Sequence, residues 1–214
     1  MTARTAACPN CGATIEFRWS GAVQTICPYC KAVLVRRDLD LEKVGMVSDL
    51  PPTASPIQLG TEGKFDGEAF VVVGRIVYQY ERGGWNEWHL RTMRHESAWL
   101  SDAQGDLAIS RPARNPGPLP SASDLKVGQS YVLDDTRFRV ASLTHARYAG
   151  IEGELPFESW DRSEALFADL DADGGEPLRF ATIDYSDDTP VAYVGTYVEL
   201  EQLDARNLRR FEGW

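Results

Sequence analysis

The chain has 214 residues, of which 43% are hydrophobic, and this is enough to bury a sizeable core. Its 22 Lys and Arg residues are outnumbered by 32 Asp and Glu residues, which gives a net charge of −10 at neutral pH. This charge argues against binding to nucleic acid and against docking on anionic lipid by charge alone. The longest apolar run, residues 69–73, is too short to cross a bilayer as a helix.

The four cysteines of the chain lie near its start as two C-x2-C pairs, Cys8 with Cys11 and Cys27 with Cys30. This spacing is typical of a zinc ribbon, and it predicts one structural Zn²⁺ whose four thiolate ligands leave no open position for catalysis. The alternatives are disulfides or a redox motif. Residues 1–7 lack the apolar region of a signal peptide, so we expect a cytoplasmic, reducing location, and a redox C-x-x-C normally occurs once.

The residues between and after the two pairs suggest a domain organisation. Alternating apolar residues in 14–19, a glycine at 21 and a second apolar run in 23–26 predict a hairpin that joins the two knuckles. Three prolines within residues 50–56 favour an extended linker. The prediction is therefore a zinc ribbon at 1–43, a Pro-rich linker at 44–56, a β-rich domain at 57–208 and a tail at 209–214.

The part of the chain after the linker is acidic and rich in short strand patterns. Residues 44–214 hold sixteen Lys and Arg against twenty-eight Asp and Glu, whereas residues 1–43 hold six against four. Runs of β-branched and aromatic residues predict a mainly β fold, either a sandwich or two small barrel-like halves, with few short helices. The strands expected on this basis include residues 76–80, 85–90, 98–100, 131–133, 180–185 and 192–200. Apolar spacing over residues 200–211 predicts one short amphipathic helix.

Laid against itself with a shift of 68 residues, the chain shows a weak internal match. Gly60, Asp66, Phe70 and Val72 align with Gly128, Asp134, Phe138 and Val140. Each copy is predicted to contain a strand, a tight turn at residues 65–67 or 133–135, and a second strand. Duplication and the ordinary requirements of any β-hairpin account for this match equally well.

Motifs for catalysis are not found in the β-rich part: there is no nucleophile elbow, phosphate loop or dinucleotide fingerprint. Asp169, Asp171 and Asp173, followed by a glycine, resemble the start of a calcium loop, but position 12 is Phe180 instead of a glutamate. An acidic surface turn is therefore the favoured interpretation, with weak Ca²⁺ binding as the lesser alternative. We expect a protein without enzymatic activity.

The segment from Trp85 to Leu90 is the most distinctive piece of the β-rich part. As a strand it places Trp85, Glu87 and His89 on one face, which could form a groove for a ligand or partner together with Glu154 and Glu158. The alternative is that the tryptophans fill a small core and that the Glu–His pair is a surface contact.

This segment also carries a resemblance to a known family. Residues 74–80 (GRIVYQY) followed by 83–88 (GGWNEW), with later motifs at 99–105 and 152–157, resemble the domain-of-unknown-function family 4178 over roughly residues 57–205. The resemblance implies a bacterial protein, often with an N-terminal zinc ribbon, in a membrane-stress or polyamine-linked system and with no established activity. Family members often have Trp where this chain has Phe157.

Two functional hypotheses follow. The first, which we favour on the sequence alone, is a zinc-containing adaptor whose ribbon and β-rich domain each bind a protein partner. Any membrane association would then be indirect, through such a partner. The second is a binder of, or enzyme acting on, a small cationic metabolite such as a polyamine, held by acidic and aromatic side chains.

Overall fold

The computed structural model describes residues 4–37, 40–46, 54–94, 96–158, 163–174 and 178–210, and within them the protein is built almost entirely of β-strands. The N-terminal strands are β1 (Arg4–Ala7), β2 (Thr14–Phe17), β3 (Gln24–Ile26), β4 (Ala32–Arg37) and β5 (Asp40–Met46). The next five are β6 (Glu62–Phe65), β7 (Glu68–Tyr80), β8 (Gly83–Thr92), β9 (Ser97–Ala103) and β10 (Asp106–Pro112). The last five are β11 (Ser130–Leu133), β12 (Thr136–Leu155), β13 (Glu164–Ala172), β14 (Arg179–Asp184) and β15 (Val191–Val198). The prediction of a mainly β protein is confirmed.

Eight of these strands close into one antiparallel barrel. Their order around the ring is β7, β8, β9, β10, β15, β14, β13 and β12, and β12 pairs back onto β7. Two glycines, Gly74 and Gly153, face each other at this closing pair. A side chain at either position would overlap the backbone of the other strand, so glycine is what lets β7 and β12 approach. The sequence left open a sandwich or two small barrels, and the pairing shows a single closed ring.

The barrel consists of two halves that repeat the same structure. The first half is β7 to β10, with β6 paired on β7 outside the ring, and the second is β12 to β15, with β11 paired on β12. Gly60 N donates to Val72 O at 2.8 Å, and Gly128 N donates to Val140 O at the same distance and at the same offset of 68. A β-bulge follows Val72 in β7 and recurs after Val140 in β12. The detailed match supports duplication over coincidental hairpins.

Each half begins with the tight turn that the sequence predicts. Asp66 and Gly67 have φ values of 50° and 74°, and Asp134 and Asp135 have φ values of 48° and 60°. Two successive residues with positive φ are the mark of a hairpin turn whose twist matches that of the strands, and Asp and Gly tolerate this conformation well. The turns fix the register of β6 on β7 and of β11 on β12.

Apolar side chains form separate clusters on the two faces of the barrel wall. One cluster includes Trp88, Leu90 and Leu100 and closes over Ile57 and Leu203. A second cluster, in the other half, includes Phe138, Leu170 and Ile183. A third cluster, on the face of the strands that points into the barrel, is rich in aromatic residues and lines the cavity described below.

The N-terminal strands form the predicted ribbon, but with different partners. β2 pairs with β1, and β3 pairs with β4 and with the end of β12, so the predicted hairpin between the two knuckles is wrong. Each C-x2-C pair is itself the tip of a hairpin, because the chain reverses direction within it. β1 therefore pairs with β2 across the first knuckle and β3 with β4 across the second, while β5 pairs with the outer side of β4.

The segments outside the barrel differ in part from the predictions. β5 extends to Met46, three residues beyond the predicted end of the ribbon, and residues 47–53 of the predicted linker lie outside the described residues. The predicted helix over residues 200–211 is wrong: a single 3₁₀ turn, Leu200–Leu203, ends at Asp204, whose left-handed φ of 47° stops helical continuation. No helix among the described residues has the length and apolar character needed to cross a membrane.

Candidate functional site

The four cysteines converge on one point. Their sulfur atoms all lie within 4.8 Å of one another, and the Sγ atoms of Cys8 and Cys30 and of Cys11 and Cys27 are 3.7 Å apart. Four sulfurs placed tetrahedrally at about 2.3 Å from one metal ion would be about 3.8 Å apart. The cluster therefore has the dimensions of a metal-thiolate centre.

The two knuckles have the same internal hydrogen bonds. Gly12 N donates to Cys8 O at 2.8 Å, and Lys31 N donates to Cys27 O at 3.0 Å. Gly12 and Lys31 occupy equivalent positions with φ values of 74° and 59°. The left-handed conformation favours glycine, so it costs conformational energy at Lys31 in the second knuckle but not at Gly12 in the first.

Neighbouring polar groups prepare the cluster for a metal cation. A hydrogen bond from the Asn10 side chain, together with one from the backbone of Ala32, lowers the pKa of Cys30 to about 6, whereas the pKa of Cys11 in the same cluster is raised. Lys43 Nζ donates to Asn10 Oδ1 at 2.8 Å and brings a positive charge close to the thiolates. The residues present fit a metal ion bound by four cysteines.

The second feature is a cavity of about 50 Å³ in the middle of the barrel. Its polar residues are Glu87, Ser101, Ser110, Thr182 and Asp184. The remaining wall is mostly aromatic and consists of Tyr78, Trp99, Phe157, Phe167, Phe180 and Tyr193, with Ile76. The volume is enough for a few water molecules or for one small polar group of a ligand.

Two larger chambers of about 290 Å³ adjoin this central cavity. The first chamber shares Glu87 with it and adds Asp106 and Asp169. The second chamber shares Asp184 with it and adds Glu158 and Asp187. Among the described residues that line the cavity and both chambers, six carry a carboxylate and none carries a basic side chain.

Glu87 is the central acid of this system. Ser101 Oγ lies 3.0 and 2.8 Å from its two carboxylate oxygens, and Trp85 Nε1 donates to one of them at 3.0 Å. Burial raises the pKa of Glu87 from 4.5 to about 8, and the carboxylates of Asp169 and Asp184 act in the same direction, whereas the two hydrogen-bond donors oppose it. The group is protonated at neutral pH unless a cation stands beside it.

Asp169 and Asp184 are held in the same way. Asp169 accepts hydrogen bonds from Ser142 Oγ at 2.9 Å and from Thr182 Oγ1 at 3.0 Å, and Asp184 accepts one from Ser186 N at 2.8 Å. Burial raises the pKa of both carboxyl groups. Three acids within one barrel are thus fixed in place by neutral donors, and none of them forms an ion pair with a residue that the structure describes.

Of the groove residues suggested by the sequence, Trp85 and Glu87 lie together on the wall of the first chamber, but His89 lines neither that chamber nor the central cavity. His89 is buried under the ribbon, with Trp19 and Trp99 each 5.0 Å away between ring centroids. Its Nδ1 donates to Glu154 O at 2.9 Å, so Nε2 accepts from Ser97 Oγ, and burial lowers the pKa of His89 to about 4. The imidazole is a neutral structural group.

The structure also separates the two remaining groove residues. Glu154 is buried between ribbon and barrel, where its carboxylate accepts hydrogen bonds from the backbone N–H groups of Arg18 and Trp19 at 2.6 and 2.8 Å. Glu158 is exposed, pairs with Arg37 of the ribbon and lines the second chamber. Only Glu158 therefore joins Trp85 and Glu87 around the cavity system.

The three aspartates of the suggested calcium loop are spread along an extended chain. Asp169 and Asp171 belong to β13, and Asp173 follows its end. Residues 175–177, which include Glu176, lie outside the described residues. Within the described part of the chain, the four cysteines are the one group of three or more potential ligands that converge closely enough for a metal ion.

Sequence reasoning missed Asp184, the second central acid. Glu87 pairs across strands with Ser101, and the equivalent pair in the second half is Phe167 with Asp184. Equivalent residues of the two halves are 68 positions apart in the first strands, as Val72 and Val140 are, but Ser101 and Asp184 are 83 positions apart. The difference arises because the loops between the strands differ in length. A self-comparison that allowed insertions would have aligned Asp184 with Ser101.

A four-cysteine ribbon packed on a closed antiparallel barrel with an acidic, aromatic interior defines the class of this protein. The chain belongs to the family described as Domain of unknown function (DUF4178), whose model matches residues 58–200. The matched region contains every strand of the barrel and all six carboxylates of the cavity system, and it leaves out the ribbon. No curated protein and no solved structure matches the chain.

Proposed function

We propose that the barrel binds a small organic cation, such as a polyamine, in its acidic and aromatic interior. The observation that carries this proposal is the composition of the cavity and its two chambers: Glu87, Asp169 and Asp184 are shielded from solvent there, three exposed carboxylates complete the lining, and no described lining residue is basic. Bringing buried carboxyl groups together is costly unless a positive charge compensates them. An ammonium group supplies that charge and donates hydrogen bonds to the carboxylates.

The aromatic walls favour an organic cation over a metal ion. Tyr78 stacks on Trp85 at 4.7 Å between ring centroids, and Phe167 packs edge-on against both. Such rings cover methylene groups and attract an ammonium group through their π faces. The carboxylates of the cavity system do not converge as metal ligands do, which fits several separate amino groups better than one ion.

For the ribbon we propose one structural Zn²⁺ per chain, coordinated by Cys8, Cys11, Cys27 and Cys30. The sulfur spacing and the closed set of four thiolates support this assignment. A metal-thiolate centre is stable in a reducing compartment, which is the basis for proposing a cytoplasmic location.

The adaptor hypothesis remains a second proposal. The observation in its favour is Tyr29, which lies in the second knuckle and is 73% exposed. Aromatic residues at such positions are common in protein interfaces. The many contacts between ribbon and barrel argue for a ribbon that acts together with the barrel, so we place the cation-binding function first.

A thermal-shift assay with putrescine and spermidine tests the cation-binding proposal, with butane-1,4-diol and succinate as neutral and anionic controls. We expect the amines alone to raise the melting temperature. The Glu87→Gln variant should lose this response, whereas Glu164→Gln, which removes an exposed carboxylate outside the cavity system, should keep it. Equal responses to amines and diol, or an unchanged response in Glu87→Gln, would reject the proposal.

A further inference from the structure

The ribbon and the barrel share one continuous strand. β12 leaves the barrel after Gly153 and pairs with β3 of the ribbon, Glu154 opposite Thr25 and Leu155 opposite Gln24. Val23 N also donates to Leu155 O at 2.9 Å. The end of β12 therefore depends on the ribbon for its backbone hydrogen bonds.

Glu154 of β12 also stabilises this junction between barrel and ribbon through hydrogen bonds. Its side chain accepts the N–H groups of Arg18 and Trp19, and its backbone carbonyl accepts the Nδ1–H of His89. Glu154 is only 4% exposed, so these bonds are shielded from water. If the ribbon unfolded, Glu154 would lose both backbone donors, and Trp19 would leave the face of His89.

The residues that follow this junction form part of the ligand site. Phe157 lines both the central cavity and the second chamber and packs against Trp99, with 5.8 Å between ring centroids. Glu158 lines the second chamber, and Arg37 of β4 holds its carboxylate with both terminal nitrogens. Only two residues, Leu155 and Pro156, separate the ribbon-bound Glu154 from the cavity wall at Phe157.

The ribbon depends on its metal for a stable fold. Its own core consists of Ile15, Phe17, Trp19, Ala22, Ala32 and Leu34, together with Cys8 and Cys27 of the metal cluster. A core of this size is too small to stabilise an isolated unit of about 40 residues, so such units usually need a metal. Losing the metal would therefore release β3 and β4 and, with them, the support of residues 154–158.

We propose that metal binding by the ribbon regulates ligand binding in the barrel by holding the Glu154–Glu158 segment in place as one wall of the second chamber. The inference rests on the proposed cation-binding function for its ligand. Glu154 and Arg37 are positioning residues, since they act on the ligand through Phe157 and Glu158. The coupling is reciprocal, so a bound cation also tightens the hold of the ribbon on its metal.

Calorimetric titration of the full chain with spermidine, before and after metal removal by a chelator, measures the coupling. We expect affinity to fall by about tenfold or more without metal and to return when Zn²⁺ is added back. Arg37→Ala keeps all four cysteines and removes a positive charge beside the second chamber, so a loss of affinity would reflect release of Glu158; we expect spermidine binding to weaken about two- to fivefold. The matched control Arg139→Ala removes an exposed ion pair with Asp173 on the barrel and should leave affinity unchanged.

Hydrogen exchange provides a second readout that needs no ligand. Metal removal should speed exchange of backbone amides in residues 151–158, while β9 and β10 stay protected. Equal spermidine affinity with and without metal, or unchanged exchange in 151–158, would overturn the proposed regulation. If the metal-loaded protein does not bind spermidine but residues 151–158 respond to the metal, the cation-binding function fails while the mechanical link stands.

Discussion

Glu87 illustrates how one buried side chain links stability to ligand chemistry. A carboxyl group with a pKa of about 8 is neutral in the free protein at neutral pH, because burial disfavours its charged form. An ammonium group beside it would stabilise the carboxylate and displace the proton. Cation binding should therefore release protons and become tighter as pH rises toward 8.

The same group predicts how stability changes with pH. The folded protein keeps the Glu87 proton that the unfolded chain releases between pH 4.5 and about 8, so the stabilisation is complete below pH 4.5 and is lost as pH rises to 8. Because of this proton, the free energy of unfolding changes by up to about 1.4 kcal/mol per pH unit, and Glu87→Gln removes that pH dependence. Urea denaturation at pH 5.5 and 8 should show the variant gaining stability relative to the parent protein at the higher pH. An unchanged difference between the two proteins would mean that Glu87 titrates normally.

The hairpins of the ribbon depend on all four cysteines. Cys27→Ser removes one thiolate from a cluster whose sulfurs are 3.7 Å apart, and it should reduce bound metal from one ion per chain to much less than one. Native mass spectrometry counts the metal, and hydrogen exchange should show loss of protection in residues 4–37. A variant that retains one tightly bound ion would contradict the four-cysteine assignment. Asn10→Ala, which leaves every sulfur in place, serves as the control and should still bind one ion.

Strands and turns could be predicted where the signal is local. The tight turns at Asp66 and Asp134 and the strands that follow them were visible in composition and spacing, because turn chemistry and alternation act over a few residues. The partners of β2 and β3 were predicted wrongly, since the choice between two nearby strands depends on how the knuckles fold.

The cavity was predicted only in part, because contacts between distant strands leave no local signal in the sequence. Trp85 and Glu87 were recognised because they share one face of a single strand. Asp184 lies 97 positions further along the chain and reaches Glu87 only through closure of the barrel. His89 is two residues from Glu87 and lies on the same face of the strand, yet it is buried under the ribbon. No local sequence pattern indicates this contact.

Closure of the whole barrel depends on two glycines. At Gly74, an added methyl group would overlap the carbonyl of Glu154 and touch Leu155. Gly74→Ala should therefore destabilise the protein by about 2 kcal/mol, as overpacking between two strands does, and thermal or urea denaturation would measure the loss. Gly105→Ala is a useful comparison, because its methyl group meets nothing within 4 Å and its cost comes only from the positive φ of 101°, which strains an alanine. A Gly74→Ala protein as stable as the parent would show that β7 and β12 do not approach this closely.

Taken together, the molecule has a metal-bound ribbon at one side of a barrel whose interior is acidic and aromatic. The ribbon reaches the cavity through the end of β12, and the acids of both halves of the barrel face a shared space. The proposed function of the protein requires that this space binds an organic cation.

Isothermal titration calorimetry of the metal-loaded protein with spermidine at pH 8 tests that claim most directly. We expect one spermidine per chain, proton release in buffers of different ionisation enthalpy, and loss of binding in a protein carrying both Glu87→Gln and Asp184→Asn. The single change Glu164→Gln should leave the titration unaltered. Absence of binding, or binding that the double variant retains, would contradict the account.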